Sequence, residues 1–110
     1  MSVPVPGVVA RYFEATDSGE KDALVACFTE DAVVVDEGRT WRGLAEIRQW
    51  RDEVATAYEY TVEILGAEPA GVDEYLVTAR LEGNFPGNVV DLGFRFGLRD
   101  DLIDRLRIAP

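Results

Sequence analysis

The chain has 110 residues, of which 47% are apolar, and 21 acidic side chains against 11 basic ones leave a net charge of −10. That length and composition fit one domain, residues 1–110, with a single core, and so negative a surface excludes nucleic acid and anionic membrane as partners. The absence of histidine removes the usual general base and the commonest metal ligand, so any acid–base chemistry falls to Asp, Glu or Tyr.

The only cysteine, Cys27, excludes an internal disulfide, and its apolar setting makes it a packed thiol rather than a nucleophile. The start "MSVPVPGVVARYF" lacks a basic segment leading into a long apolar one, and no stretch reaches the ~18 to 20 apolar residues of a membrane span. A soluble, cytoplasmic protein is the expectation. No Asp and Glu spacing suggests a metal cage and no glycine loop a phosphate cradle, so neither metal nor cofactor is expected.

Along the chain, the proline-bearing start gives way to a first helix whose Val9, Tyr12, Phe13 and Thr16 lie at helical spacing. "TDSGE" ends it, Gly19 tolerating a left-handed cap. A second, short helix is expected to set Ala23, Leu24, Cys27 and Phe28 on one side. Ala32 to Val35 then read as a buried strand, "DEGRTWRG" as a loop turning at Gly38, and about Leu44 to Tyr58 as a third helix with Ile47, Trp50, Val54 and Tyr58 on its buried face.

From Tyr60 the period changes from 3.6 to 2. Tyr60, Val62 and Ile64 alternate with Thr61 and Glu63; "GAEPAG" reads as a loop; Tyr75, Val77, Ala79 and Leu81 share a face, as do Leu92, Phe94, Phe96 and Leu98. Asp100 and Asp101 mark a turn before a last strand anchored by Ile103 and Leu106. Helices first and strict alternation afterwards indicate an α+β fold, three helices laid over a curved sheet.

In "RYFEATDSGEKDALVACFTEDAVVVDEG" and "WRGLAEIRQW", Arg11 to Arg51, the aromatic of the first helix, the Gly-Glu step, the Phe-x-x-Asp-Ala run and the Gly, Ile, Trp spacing stand in one order. This resembles the superfamily of nuclear transport factor 2, SnoaL-type polyketide cyclases and bacterial ketosteroid isomerases. The resemblance implies a cone-like curved sheet, mixed or antiparallel, with the helices on its concave face. Matched to the ketosteroid isomerases, Asp36 falls where the family keeps its general base and Tyr12 where it keeps a hydrogen-bond-donating tyrosine. A carboxylate in an apolar mouth can take a proton from the carbon beside a carbonyl, and a buried phenol can hold the enolate. The family's second, protonated acid has no counterpart, because two registers put either Leu92 or Phe94 at that position and Asp91 has the wrong parity. A further pocket tyrosine of the family maps to Arg51.

These positions define the expected site: Asp36 and Tyr12 as the chemical pair, with Trp41, Trp50, Arg51, Leu92 and Phe94 around a ligand. The plainer reading keeps Asp-Glu-Gly as a solvated turn and the tryptophans as core. Two functions follow, an isomerase or cyclase acting on a small hydrophobic molecule, or a non-catalytic binding or dimerisation module. A cavity of ~300 Å³ or more reaching Asp36 favours the first, and bulky Trp50, Phe94 and Phe96 meeting inside the second. A homodimer is expected, from Leu76 and Val77 both being apolar and from the habit of the superfamily.

Overall fold

A computed structural model describes residues 5–110; the proline-bearing start through Pro4 lies outside them. The chain forms α1 (Gly7–Ser18), α2 (Lys21–Val25), β1 (Phe28–Asp36), β2 (Arg39–Arg42), α3 (Gly43–Ala57), β3 (Tyr60–Gly71), β4 (Glu74–Gly83), β5 (Val89–Arg99) and β6 (Leu102–Ala109). The six strands make one curved, unclosed sheet in the order β2-β1-β6-β5-β4-β3. β1 runs parallel to β6 and the other neighbours are antiparallel, so the sheet is mixed.

In α1, Val8, Val9, Tyr12, Phe13 and Ala15 are buried, and the helix stops at left-handed Gly19, whose N–H returns to the Ala15 carbonyl. The second helix is shorter than the periodicity predicts. Ala23 is exposed, Cys27 sits in the following turn and Phe28 opens β1. The cause is tertiary: the Cys27 carbonyl accepts from Ile103 N–H at 2.8 Å, and the parallel ladder with β6 starts beside it at Phe28 and Ile103.

"RTWR" is a strand and not part of a loop. Glu37 and Gly38 both adopt left-handed backbone (φ +54° and +74°), making a two-residue hairpin turn that opposes Asp36 to Arg39 and Val34 to Trp41. β3 likewise continues through "GAEPAG", its register shifting between Ile64 and Gly66. It is an edge strand, so one side of Pro69 has no partner to disappoint.

The inner face of the sheet follows the alternation. Val77 and Ala79 on β4, Phe94 and Phe96 on β5, and Ile103, Leu106 and Ile108 on β6 are buried. Ile103 and Leu106 share that face despite a spacing of three because the register with β5 slips at Gly97 and Leu98, leaving Asp104 as an extra residue. Tyr12 and Phe13 meet Phe94 and Phe96 with ring centres 5.3 to 6.5 Å apart, edge to face except for the tilted Tyr12–Phe94 pair. Each such buried aromatic contributes on the order of 2 to 3 kcal/mol. This cluster fills one part of the cone and leaves the rest open.

Candidate functional site

The open part is a cavity of about 480 Å³. Its apolar wall comes from the sheet, through Val62, Leu81, Val90, Leu92, Phe94 and Ile108. Polar groups enter from the helices and from strand ends: Tyr12 and Thr16 from α1, Asp36 and Glu37 from the end of β1 and its turn, Arg51 from α3, and Tyr60 from the start of β3. They converge because Tyr12 sits on the buried stripe of α1, while Trp50 and Arg51 are adjacent on α3 and flank its inward face.

Asp36 is half-buried, and its Oδ2 accepts from the indole N–H of Trp50 at 3.0 Å. Oδ1 has no hydrogen-bond donor among the described residues. Strand parity does send Asp36 inward, although Glu37 also reaches the rim because its left-handed backbone breaks the alternation.

Tyr12 is almost completely buried, and burial pushes its hydroxyl well above the ordinary tyrosine range, aided by Tyr60 and Asp36 and opposed by Arg51. It is therefore a neutral phenol at any working pH, able to donate. Both terminal nitrogens of Arg51 point to the Tyr60 oxygen, each at 3.4 Å, and the guanidinium carbon stands 5.1 Å from the centre of the Trp50 ring. Burial works against the charge of Arg51, but Tyr12, Tyr60 and Asp36 outweigh it and its pKa is raised. The cavity thus offers a carboxylate, a neutral donor and a cation against an apolar wall.

Six of the seven residues expected at a site line this one cavity: Tyr12, Asp36, Trp50, Arg51, Leu92 and Phe94. Leu92 and Phe94 both face it, so the choice between two registers disappears. Trp41 is the correction. It lies on β2, buried against β1 opposite Val34, with Arg39 stacked 3.9 Å above its ring, and it does not reach the cavity.

The SnoaL-like domain family model matches residues 9–106. The chain belongs to the SnoaL-like domain family. Among solved structures, this SnoaL-like chain is similar to a candidate polyketide cyclase from Sinorhizobium meliloti, at 38% identity and a TM-score of 0.91 over 96% of this chain and 95% of that one. It is also similar to SalBIII, an epoxide hydrolase/cyclase-like enzyme of pyran ring formation in the polyether salinomycin, at 26% identity and a TM-score of 0.80, covering 92% and 85% of the two chains. A Catenulispora acidiphila protein of ketosteroid isomerase-like fold, in complex with trimethylamine, shares the fold at 24% identity and a TM-score of 0.86 over 97% and 87%. No curated protein matches the sequence at a significant level.

The SnoaL-like site also contains groups that pattern reading passed over. Tyr60 was legible as part of the inward row Tyr60, Val62, Ile64, but only the fold brings it to Arg51. Phe85 and Pro86, from the "NFPGN" loop, close one side and carry no periodicity to announce it. Elsewhere, the Cys27 thiol is buried, donates to the Ala23 carbonyl at 3.5 Å and is pushed up by desolvation, which makes it a poor nucleophile. Among the described residues no three acidic or thiol side chains gather as metal ligands, and no helix is long and apolar enough to cross a membrane.

Proposed function

We propose that this SnoaL-like protein binds a small hydrophobic carbonyl compound in the cone and rearranges it by proton transfer at carbon, as an isomerase or cyclase. Asp36 is the base and Tyr12 the hydrogen-bond donor. The observation that carries this reading is the Asp36 carboxylate on the wall of an apolar cavity, with Oδ2 held by Trp50 and Oδ1 without a donor among the described residues. Oδ1 takes the proton from the carbon beside the carbonyl, and the C–H electron pair becomes the enolate, its charge on oxygen. The Tyr12 hydroxyl, kept protonated by burial, donates to that oxygen. Asp36 then returns the proton to another carbon, completing an isomerisation. Alternatively the enolate carbon bonds to a second carbonyl carbon of the same molecule, and the resulting alkoxide takes the proton, closing a ring.

The volume of about 480 Å³ lies in the range of small-molecule sites and supports a ligand over a filled cone. Similarity to the candidate polyketide cyclase and to SalBIII supports ring-forming chemistry. The test is hydrogen exchange beside the carbonyl of 2-tetralone in D2O, followed by NMR. Asp36→Asn should slow the catalysed exchange at least about 100-fold and Tyr12→Phe about 10- to 100-fold. Exchange unchanged by Asp36→Asn overturns the assignment.

We further infer a homodimer joined through the outer face of the sheet. Leu76 and Val89 are apolar residues of that face, since Val77 points inward, and the ion pairs Arg80–Asp91 and Arg95–Glu74 lie on it with them. Sedimentation should give twice the 12.2 kDa mass of the chain at micromolar concentration, and a species of the single mass would defeat the inference.

A further inference from the structure

Among the described residues, Arg51 is the one basic side chain that lines the cavity. Five other arginines, Arg39, Arg48, Arg80, Arg95 and Arg99, sit on the surface in ion pairs of 2.5 to 3.6 Å. Arg51 is half-buried and has no carboxylate within 4.0 Å among the described residues. A guanidinium withdrawn from water is stable only with good acceptors, and a phenol oxygen shared by both arms at 3.4 Å is a weak one, beyond the usual 2.9 to 3.0 Å of N–H···O bonds. Asp36 acts on Arg51 only at a distance, since its charge favours the guanidinium but makes no ion pair with it within 4.0 Å, and its Oδ2 accepts from Trp50. The fork is thus held in place by Tyr60 and the Trp50 ring while its hydrogen-bonding capacity stays largely unspent.

We infer that Arg51, braced by Tyr60, is the anchor for a carboxylate, and that the cavity takes hydrophobic monocarboxylic acids whose apolar body lies against Val62, Leu81, Val90 and Leu92. The planar guanidinium matches a carboxylate with two parallel hydrogen bonds, which a single phenol oxygen cannot offer. Among the described residues the wall has no second cation, so a dianion is rejected, and the carboxylates of Asp36 and Glu37, which also line the cavity, turn the acid group toward Arg51 by repulsion. This rests on the reading of the cavity as a ligand site and narrows it: the carbonyl compound handled by Asp36 is an oxo acid, with its carboxylate at Arg51 and its carbonyl at Tyr12.

The test uses 2-naphthoate and its uncharged counterpart 2-naphthamide, titrated calorimetrically into the whole protein at neutral pH. Wild type should bind the acid at least tenfold more tightly than the amide. Arg51→Met should remove that preference by weakening the acid at least tenfold more than the amide, Arg51→Lys should keep part of it, and Asp36→Asn should raise the ratio of acid to amide affinity. Folding of each variant is checked by circular dichroism, and Arg51→Lys keeps the test valid if Arg51→Met does not fold. Equal binding of acid and amide by wild type, or a preference that survives Arg51→Met, overturns the carboxylate anchor while leaving the cavity a ligand site. Binding of neither probe at millimolar concentration overturns both readings.

Discussion

The indole N–H of Trp50 donates to the carboxylate of Asp36 across 3.0 Å, tying the middle of α3 to the last residue of β1. Trp50 is only 2% exposed, so its N–H has no ready access to water and Asp36 is its acceptor among the described residues. Position and, on the proposed reading, chemistry are therefore joined in one bond: the contact that fixes the carboxylate leaves its other oxygen without a donor among the described residues.

Asp36→Asn and Asp36→Ala separate these roles. The asparagine carbonyl can still accept from Trp50, so Asp36→Asn should change stability by less than about 1 kcal/mol, whereas Asp36→Ala strands a buried donor and should cost about 1 to 3 kcal/mol. Urea denaturation measures both. If the two variants are equally destabilised, the indole is held by the charge of Asp36 and not by its acceptor oxygen.

Tyr12 supplies a prediction in alkali. Its folded-state pKa is raised by burial above the ordinary value of about 10, so the unfolded chain releases the phenol proton before the native state does. The corresponding stability is fully present below pH of about 10 and is lost as the pH climbs from there toward the folded-state value, by up to about 1.4 kcal/mol per pH unit. Denaturation curves between roughly pH 9 and 11.5 should fall more steeply for wild type than for Tyr12→Phe, by one proton. Parallel slopes would mean that the hydroxyl is solvated in the native state.

Most of the architecture was legible because burial here follows simple periods. The row Val9, Tyr12, Phe13 marks α1, and the rows through Val77 and Phe94 mark β4 and β5. What escaped has physical reasons. β2 buries only Trp41 of its four residues, too few to display an alternation, and its pairing is imposed by the Glu37–Gly38 turn. The second half of β3 is punctuated by glycine and proline, which an edge strand tolerates and a central one would not. That Asp36 and Tyr12 face one cavity was legible through the family resemblance, whereas Trp41 was misplaced because a tryptophan beside a turn can face either side of a hairpin. The pairing of Arg51 with Tyr60 is nine residues apart across a helix end and could come only from the fold.

Gly83 connects packing to that pairing. It ends β4 directly opposite Tyr60, and a Cβ there would overlap the Glu59 carbonyl oxygen and lie 2.7 Å from the Tyr60 Cβ. Backbone must move to admit a methyl group. Gly83→Ala should therefore destabilise the protein by about 1 to 3 kcal/mol and displace Tyr60 from Arg51. A thermal or urea midpoint close to wild type would show that the start of β3 yields freely.

The β5–β6 hairpin turns through Asp100 and Asp101, whose φ angles of +55° and +63° are both left-handed, with Arg99 and Leu102 paired on either side. Two consecutive left-handed residues are the geometry in which Asn-Gly or Asp-Gly is favoured, because glycine has no Cβ to collide with its own carbonyl. Asp101 carries that strain without the excuse of a buried contact, being exposed at the hairpin tip. Asp101→Gly should stabilise the protein by about 0.5 to 1 kcal/mol, the relief of strain exceeding the added freedom of the unfolded chain. The residue lies outside the lining of the ligand cavity, so affinity for 2-naphthoate should be unchanged while the urea midpoint rises. A lowered midpoint would mean that the Asp101 side chain contributes more to the turn, by hydrogen bonding its own backbone, than its left-handed conformation costs.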